Sequence, residues 1–120
     1  MKNSVGTIER EFAYLLWERV PLSVTEVITL AEDHFGWKRT TTYTVLKRLN
    51  QKGLFQNENG IVFQLMSKEQ FETKQTEIFL EESFRGSLPA FIAAFSSGKK
   101  LSDKEIEALQ QLIDESRERK

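Results

Sequence analysis

The chain has 120 residues, 39% hydrophobic and 29% charged, with nine Phe and a formal net charge of −1. This composition suits one ordinary domain, or two small pieces that share stability through an oligomer, and argues against wholesale disorder. One His and no Cys exclude disulfides, a thiol nucleophile and any multi-histidine or cysteine-based metal site within one chain.

No apolar stretch approaches the roughly 18 residues of a membrane span, and the opening MKNSVGTIEREF lacks the apolar core of a secretory signal. A cytoplasmic protein without membrane insertion is expected. Thr7 or a neighbour is expected to cap a first helix with a stripe of Ile8, Phe12, Leu15 and Leu16, ending before Pro21. Tyr14 and Trp17 lie beside that stripe and widen its buried face. Ser23 and Glu26 have the spacing of a capping box for a second helix carrying Val24, Val27, Ile28 and Ala31, which stops near His34 to Gly36. The lone His34, next to Phe35, reads as a loop or helix-end residue rather than a ligand.

The next segment, WKRTTTYTVLKRLNQKG from Trp37 to Gly53, holds five Lys/Arg and no acidic residue. Thr42, Val45, Leu46 and Leu49 recur at i, i+3, i+4 and i+7 and predict a third helix with one buried stripe. Its outer side carries Thr40, Thr41, Tyr43, Thr44, Lys47, Arg48 and Gln51. Cations that meet phosphates, interleaved with hydroxyls that meet base edges, are what a DNA major groove requires. After Gly53, LFQNENGIVFQL predicts a hairpin turning at Asn59-Gly60, with Ile61, Phe63 and Leu65 on the apolar face of its return strand. Two strands are marginal alone, so that face must rest on the helices. Three helices followed by a hairpin form a winged helix-turn-helix.

The remainder is read as helical. Ser67 and Gln70 cap a helix bearing Phe71, Ile78 and Phe79 that ends near Gly86. Leu88, Phe91, Ile92 and Phe95 form a compact stripe, with Pro89 tolerated in the first turn. Ser102 and Glu105 cap a last helix bearing Ile106, Leu109, Leu112 and Ile113, with a frayed, charged end at SRERK. Three short helices cannot easily enclose so many large apolar side chains, so dimerisation is their natural outlet, the alternative being that the stripe packs back on the winged domain of the same chain. The expected fold is therefore mostly α with a small β-hairpin: residues 1–66 form a winged helix-turn-helix DNA-binding domain and 67–120 a helical dimerisation domain. The charge divides accordingly, net +1 over residues 1–66 and −2 over 67–120.

The segments IEREFAYLLWERV, TTYTVLKRLNQKG, IVFQLMSKEQF and FRGSLPAFIAAF with LSDKEIEALQQLI resemble the penicillinase repressor family of bacterial transcriptional regulators. The resemblance covers nearly the whole chain. It implies a homodimeric winged-helix repressor on a dyad-symmetric operator, with the third helix in the major groove. Carried onto matching positions, the candidate DNA contacts are Lys38, Arg39, Thr40, Thr41, Tyr43, Thr44, Lys47 and Arg48. The resemblance also raises a membrane-bound sensor protease as a partner. The bond matching the family's Asn-Phe cleavage site is Ala94-Phe95, a departure from that sequence, and the cysteine pattern of the copper-responsive branch is missing. No catalytic constellation, metal site or cofactor is expected. A winged-helix module that binds another protein is the alternative, and it leaves the acid-free basic helix unexplained.

Overall fold

The computed structural model describes residues 5–119. Among them the elements run α1 (Thr7–Trp17), β1 (Leu22–Ser23), α2 (Val24–Phe35), α3 (Arg39–Gln51), β2 (Phe55–Glu58), β3 (Ile61–Gln64), α4 (Lys68–Phe84), α5 (Leu88–Gly98) and α6 (Asp103–Glu118). They fall into two compact units divided between Thr76 and Glu77, with α4 beginning in the first and ending in the second. The first unit is a winged helix-turn-helix and the second is helical. No described helix is long and apolar enough to cross a membrane.

Local chemistry sets the helix boundaries. Ser23 Oγ accepts from the Glu26 N–H at 3.1 Å, and the Ser23 N–H donates back to the Glu26 carboxylate at 3.2 Å. Ser67 with Gln70 and Ser102 with Glu105 repeat this reciprocal cap at the starts of α4 and α6. α2 stops at Gly36, whose φ of +67° lets its N–H turn back to the Glu32 carbonyl. His34 sits in the last turn of α2, with Nδ1 3.1 Å from the Leu30 carbonyl oxygen.

Phe12 and Leu16 of α1, Val27 of α2 and Leu49 of α3 are fully buried together with Leu54, Phe55 and Val62 of the wing. Trp17 joins three parts of this unit. Its ring lies 5.1 Å from Phe55 and 5.3 Å from Phe71, and its indole N–H donates to the Met66 carbonyl at 2.9 Å. Phe35 and Trp37 stack at 4.6 Å across the turn between α2 and α3, with Phe12 at 5.1 Å from Trp37.

The structure corrects several expectations. α1 is entered through Gly6 without a side-chain cap, and Ile8 is exposed while Ala13 takes a place in the core. The wing has three strands, because β1 pairs with β3 through Leu22–Val62 and Ser23–Ile61. The expected apolar face of the return strand is also reversed: Val62 is fully buried, whereas Ile61 and Leu65 are exposed. Register accounts for the reversal: Val62 pairs with Leu22 and Asn57, and Phe55 with Gln64, so Leu22, Phe55 and Val62 share the face turned to the helices while Asn57 and Gln64 stay exposed at its edge. Each strand thus gives the core one apolar residue, and no single strand shows the alternation. α6 ends at Glu118, and Lys120 of the expected frayed end lies outside the described residues.

Because Val62 faces the core and Ile61 does not, Val62→Ala should lower the unfolding free energy by about 2 kcal/mol and Ile61→Ala by less than about 0.5 kcal/mol. Urea denaturation of both variants checks the order; the reverse order would restore the Ile61 face to the core.

Candidate nucleic-acid interface

α3 buries Thr42, Val45, Leu46 and Leu49. With 3.6 residues per turn, the line opposite that stripe is Thr40, Thr44, Lys47 and Gln51, all exposed. Thr42 and Thr44 donate their hydroxyls to the carbonyls of Lys38 and Thr40, at 3.3 and 3.0 Å. Lys38 is the N-cap residue of α3 and supplies no side-chain cap. Arg39 in the first turn sets its guanidinium 5.7 Å from the Tyr43 ring centre, a cation–π contact that orients the phenol.

Two different flanks border this outward line. On one side Tyr43, Lys47 and Asn50 face Gln56 and Asn57 of β2 across a cleft of about 270 Å³. The Asn50 amide N–H donates to the Phe55 carbonyl at 3.0 Å and pins the first residue of β2 to the helix. On the other side α1 supplies Glu9, whose carboxylate lies 2.9 Å from Lys52 Nζ and 3.5 Å from Arg48 Nη1. The hydrogen bond from Lys52, with the charges of Lys52 and Arg48, holds the Glu9 carboxyl below its ordinary value despite partial burial.

All eight expected contact residues are therefore gathered in the first unit at or on α3, but they are not equivalent. Thr40, Thr44 and Lys47 stand on the outward line, Tyr43 leans toward the wing, and Thr41 and Arg48 lie toward the α1 flank. Asn50 and Gln56, absent from the sequence-derived set, line the same cleft. Gln56 carried no signal, because its position depends on the wing register.

Residues 5–115 match the penicillinase repressor family. The chain belongs to that family. It is 28% identical to the penicillinase repressor of Bacillus licheniformis over 121 residues, covering 97% of this chain and 94% of that protein. It is 23% identical to the methicillin resistance regulatory protein MecI of Staphylococcus aureus (strain Mu50 / ATCC 700699) over 113 residues, 91% of this chain and 92% of that protein. The MecI protein of Mammaliicoccus sciuri matches at 22% with the same coverage.

In the second unit of this family member, Leu88 and Ile92 of α5 and Leu109, Leu112 and Ile113 of α6 line one groove of about 880 Å³. Phe79, Phe84, Phe91 and Phe95 form a chain of ring contacts at 5.5 to 6.5 Å. Ile78 is half-buried on α4, and Ile106 is exposed on α6 away from the groove lining. Phe71 is placed differently from the dimer face expected of it: at 2% exposure it belongs to the core of the first unit. The long α4 changes surroundings along its length, so residues on one side of it do not share one role. The Ala94-Phe95 bond lies inside α5, where cleavage would first require that turn to unwind.

Glu9→Gln should cost about 0.5 to 1 kcal/mol of stability near pH 7. The native carboxyl titrates below its ordinary value of 4.5, so the stabilisation is complete above that value and is lost as pH falls through the lowered native one. Urea midpoints of the wild type and the variant should therefore differ near neutrality and converge in acid. A gap that widened in acid would contradict the ion-pair assignment.

Proposed function

We propose that the chain is a cytoplasmic DNA-binding transcriptional repressor that engages a dyad-symmetric operator as a homodimer through α3. The observation that carries this reading is the outward line of Thr40, Thr44, Lys47 and Gln51. It is exposed along its whole length, stands opposite a fully used core stripe, and belongs to a segment with no acid of its own. Membership of a repressor family supports it.

The roles divide by chemistry. Lys38, Arg39, Lys47 and Arg48 meet phosphates and give affinity and register, while Thr40, Thr41, Tyr43 and Thr44 meet base edges. The wing adds Asn57 and Asn59 as neutral donors, and Glu58 at its tip lowers its attraction for phosphate. The first unit, which runs to Thr76, performs the reading, and the second, from Glu77, the pairing. Leu88, Ile92, Leu109, Leu112 and Ile113, already gathered in one groove, form the centre of the dimer contact, with Phe79, Phe91, Phe95, Ile78 and Ile106 around it. Dimerisation sets two copies of α3 about 34 Å apart, one turn of the duplex. A membrane-bound sensor protease that acts at Ala94-Phe95 is the route of release suggested by kinship, and the helical setting of that bond makes local unwinding part of it.

Selection of binding sites from a random duplex pool should return a sequence with dyad symmetry. If the dimer makes about six phosphate contacts, log K should fall against log salt with a slope of roughly −5. Lys47→Ala should weaken all duplexes alike, and Tyr43→Ala should change the preferred base pairs by about 1 to 3 kcal/mol per lost contact. Failure to recover any preferred sequence would overturn the reading.

Sedimentation should give a dimer, and Leu112→Glu should convert it to a monomer with operator affinity reduced by at least about tenfold, through loss of the second half-site. A wild-type monomer would favour the protein-interaction alternative, with the exposed tail used for another partner.

A further inference from the structure

The segment from Trp37 to Gly53 has no acidic residue, yet an acid is supplied to it from another helix. Glu9 of α1 reaches Arg48 at 3.5 Å and Lys52 at 2.9 Å, and its own side chain is only 16% exposed. Lys52 is largely covered, at 27%, whereas Arg48 keeps 57% of its side chain in solvent. Only Nη1 of the guanidinium leans on the carboxylate, at a distance that restrains the fork without using up its donors.

Such a contact has a defined effect on phosphate binding. A free Arg or Lys on a flexible stem follows any phosphate within reach, in any register, which is the basis of sequence-independent affinity. A cation tied back by a carboxylate meets a phosphate only where the duplex presents one at the right place. The carboxylate also reduces the local charge that unrelated duplex experiences. Building a penalty against wrong partners is a route to specificity distinct from adding contacts to the right one.

We propose that Glu9 is a specificity-determining residue of the DNA-binding face: by holding Arg48 and Lys52 in one arrangement at the α1 flank of α3, it reserves these cations for phosphates in the operator register and weakens binding to unrelated duplex. This rests on the reading of α3 as the DNA-binding helix. Glu9 touches no base in this scheme and acts only through the two cations.

The test compares the full-length wild type with Glu9→Gln and Glu9→Asp by fluorescence anisotropy over a salt series. The probes are a random-sequence duplex and a duplex selected by the wild type from a random pool. Glu9→Gln should bind the random duplex about threefold to tenfold more tightly at low salt, with a slope steeper by about one per protomer. Affinity for the selected duplex should change less than about twofold, so the ratio between the two falls. Glu9→Asp keeps the charge and shortens the reach, and should move the random-duplex affinity in the same direction by a smaller amount, which supplies the test if Glu9→Gln does not fold. Unchanged or weaker random-duplex binding in the variants, or an equal gain on both duplexes, would overturn the proposal. Absence of salt-dependent binding by the wild type itself would instead overturn the function on which it rests.

Discussion

Burial of one side of α3 is the constraint on which the rest of the molecule depends. Thirteen residues with four threonines and no side-chain cap would be a poor helix in isolation. What holds it is tertiary: Val45, Leu46 and Leu49 enter the core with Thr42, whose hydroxyl is satisfied by the Lys38 carbonyl. Each large apolar side chain buried there contributes about 1.5 to 3 kcal/mol, more than the propensity lost at the threonines. The stripe therefore fixes the rotation of the helix, and rotation fixes which residues face outward. A helix secured on one side is free to carry weak helix formers away from it, which is where Thr40, Thr41 and Thr44 are found.

The neighbours of α3 serve this geometry. The Phe12, Phe35 and Trp37 rings fill the space under its entry, so the turn from α2 cannot drift. The Asn50 side chain and the Leu54 N–H, which donates to the Leu49 carbonyl, fasten the helix exit to the start of the wing. Trp17 then connects α1, β2 and the first turn of α4 through its ring contacts with Phe55 and Phe71, with its N–H on the Met66 carbonyl between them in the chain. Phe71 is drawn into the core by that same tryptophan, and the first unit consequently extends past the wing into α4.

Local signals made much of this readable in the sequence. Three Ser-x-x-Glu/Gln boxes, the Asn59-Gly60 turn and the period of the α3 stripe each report on a few adjacent residues, and each maps onto the element it announced. What could not be read depends on pairing between distant residues. β1 has two residues and no period of its own; it exists because β3 offers it an edge. The buried wing face is hidden in the sequence because Ile61, Phe63 and Leu65 alternate visibly while the core face draws single residues from separate strands. The Glu9 contacts join α1 to α3 across 39 and 43 positions, so nothing in either helix announces them.

The two units differ in how completely they satisfy their own apolar residues. The first contains side chains with no exposure at all, whereas neither α5 nor α6 has a single buried residue. Ring contacts among Phe79, Phe84, Phe91 and Phe95 shield one another only in part, and Leu88, Ile106, Leu112 and Ile113 remain about half exposed or more. Apolar surface of this kind is unfavourable in water and is ordinarily covered by a partner. The proposed homodimer would cover it, because an isologous contact covers the same groove on both protomers at once and imposes the two-fold symmetry that a palindromic site matches. In the proposed homodimer each α3 is held by its own core, and the pairing of the second units would set the spacing between the two copies.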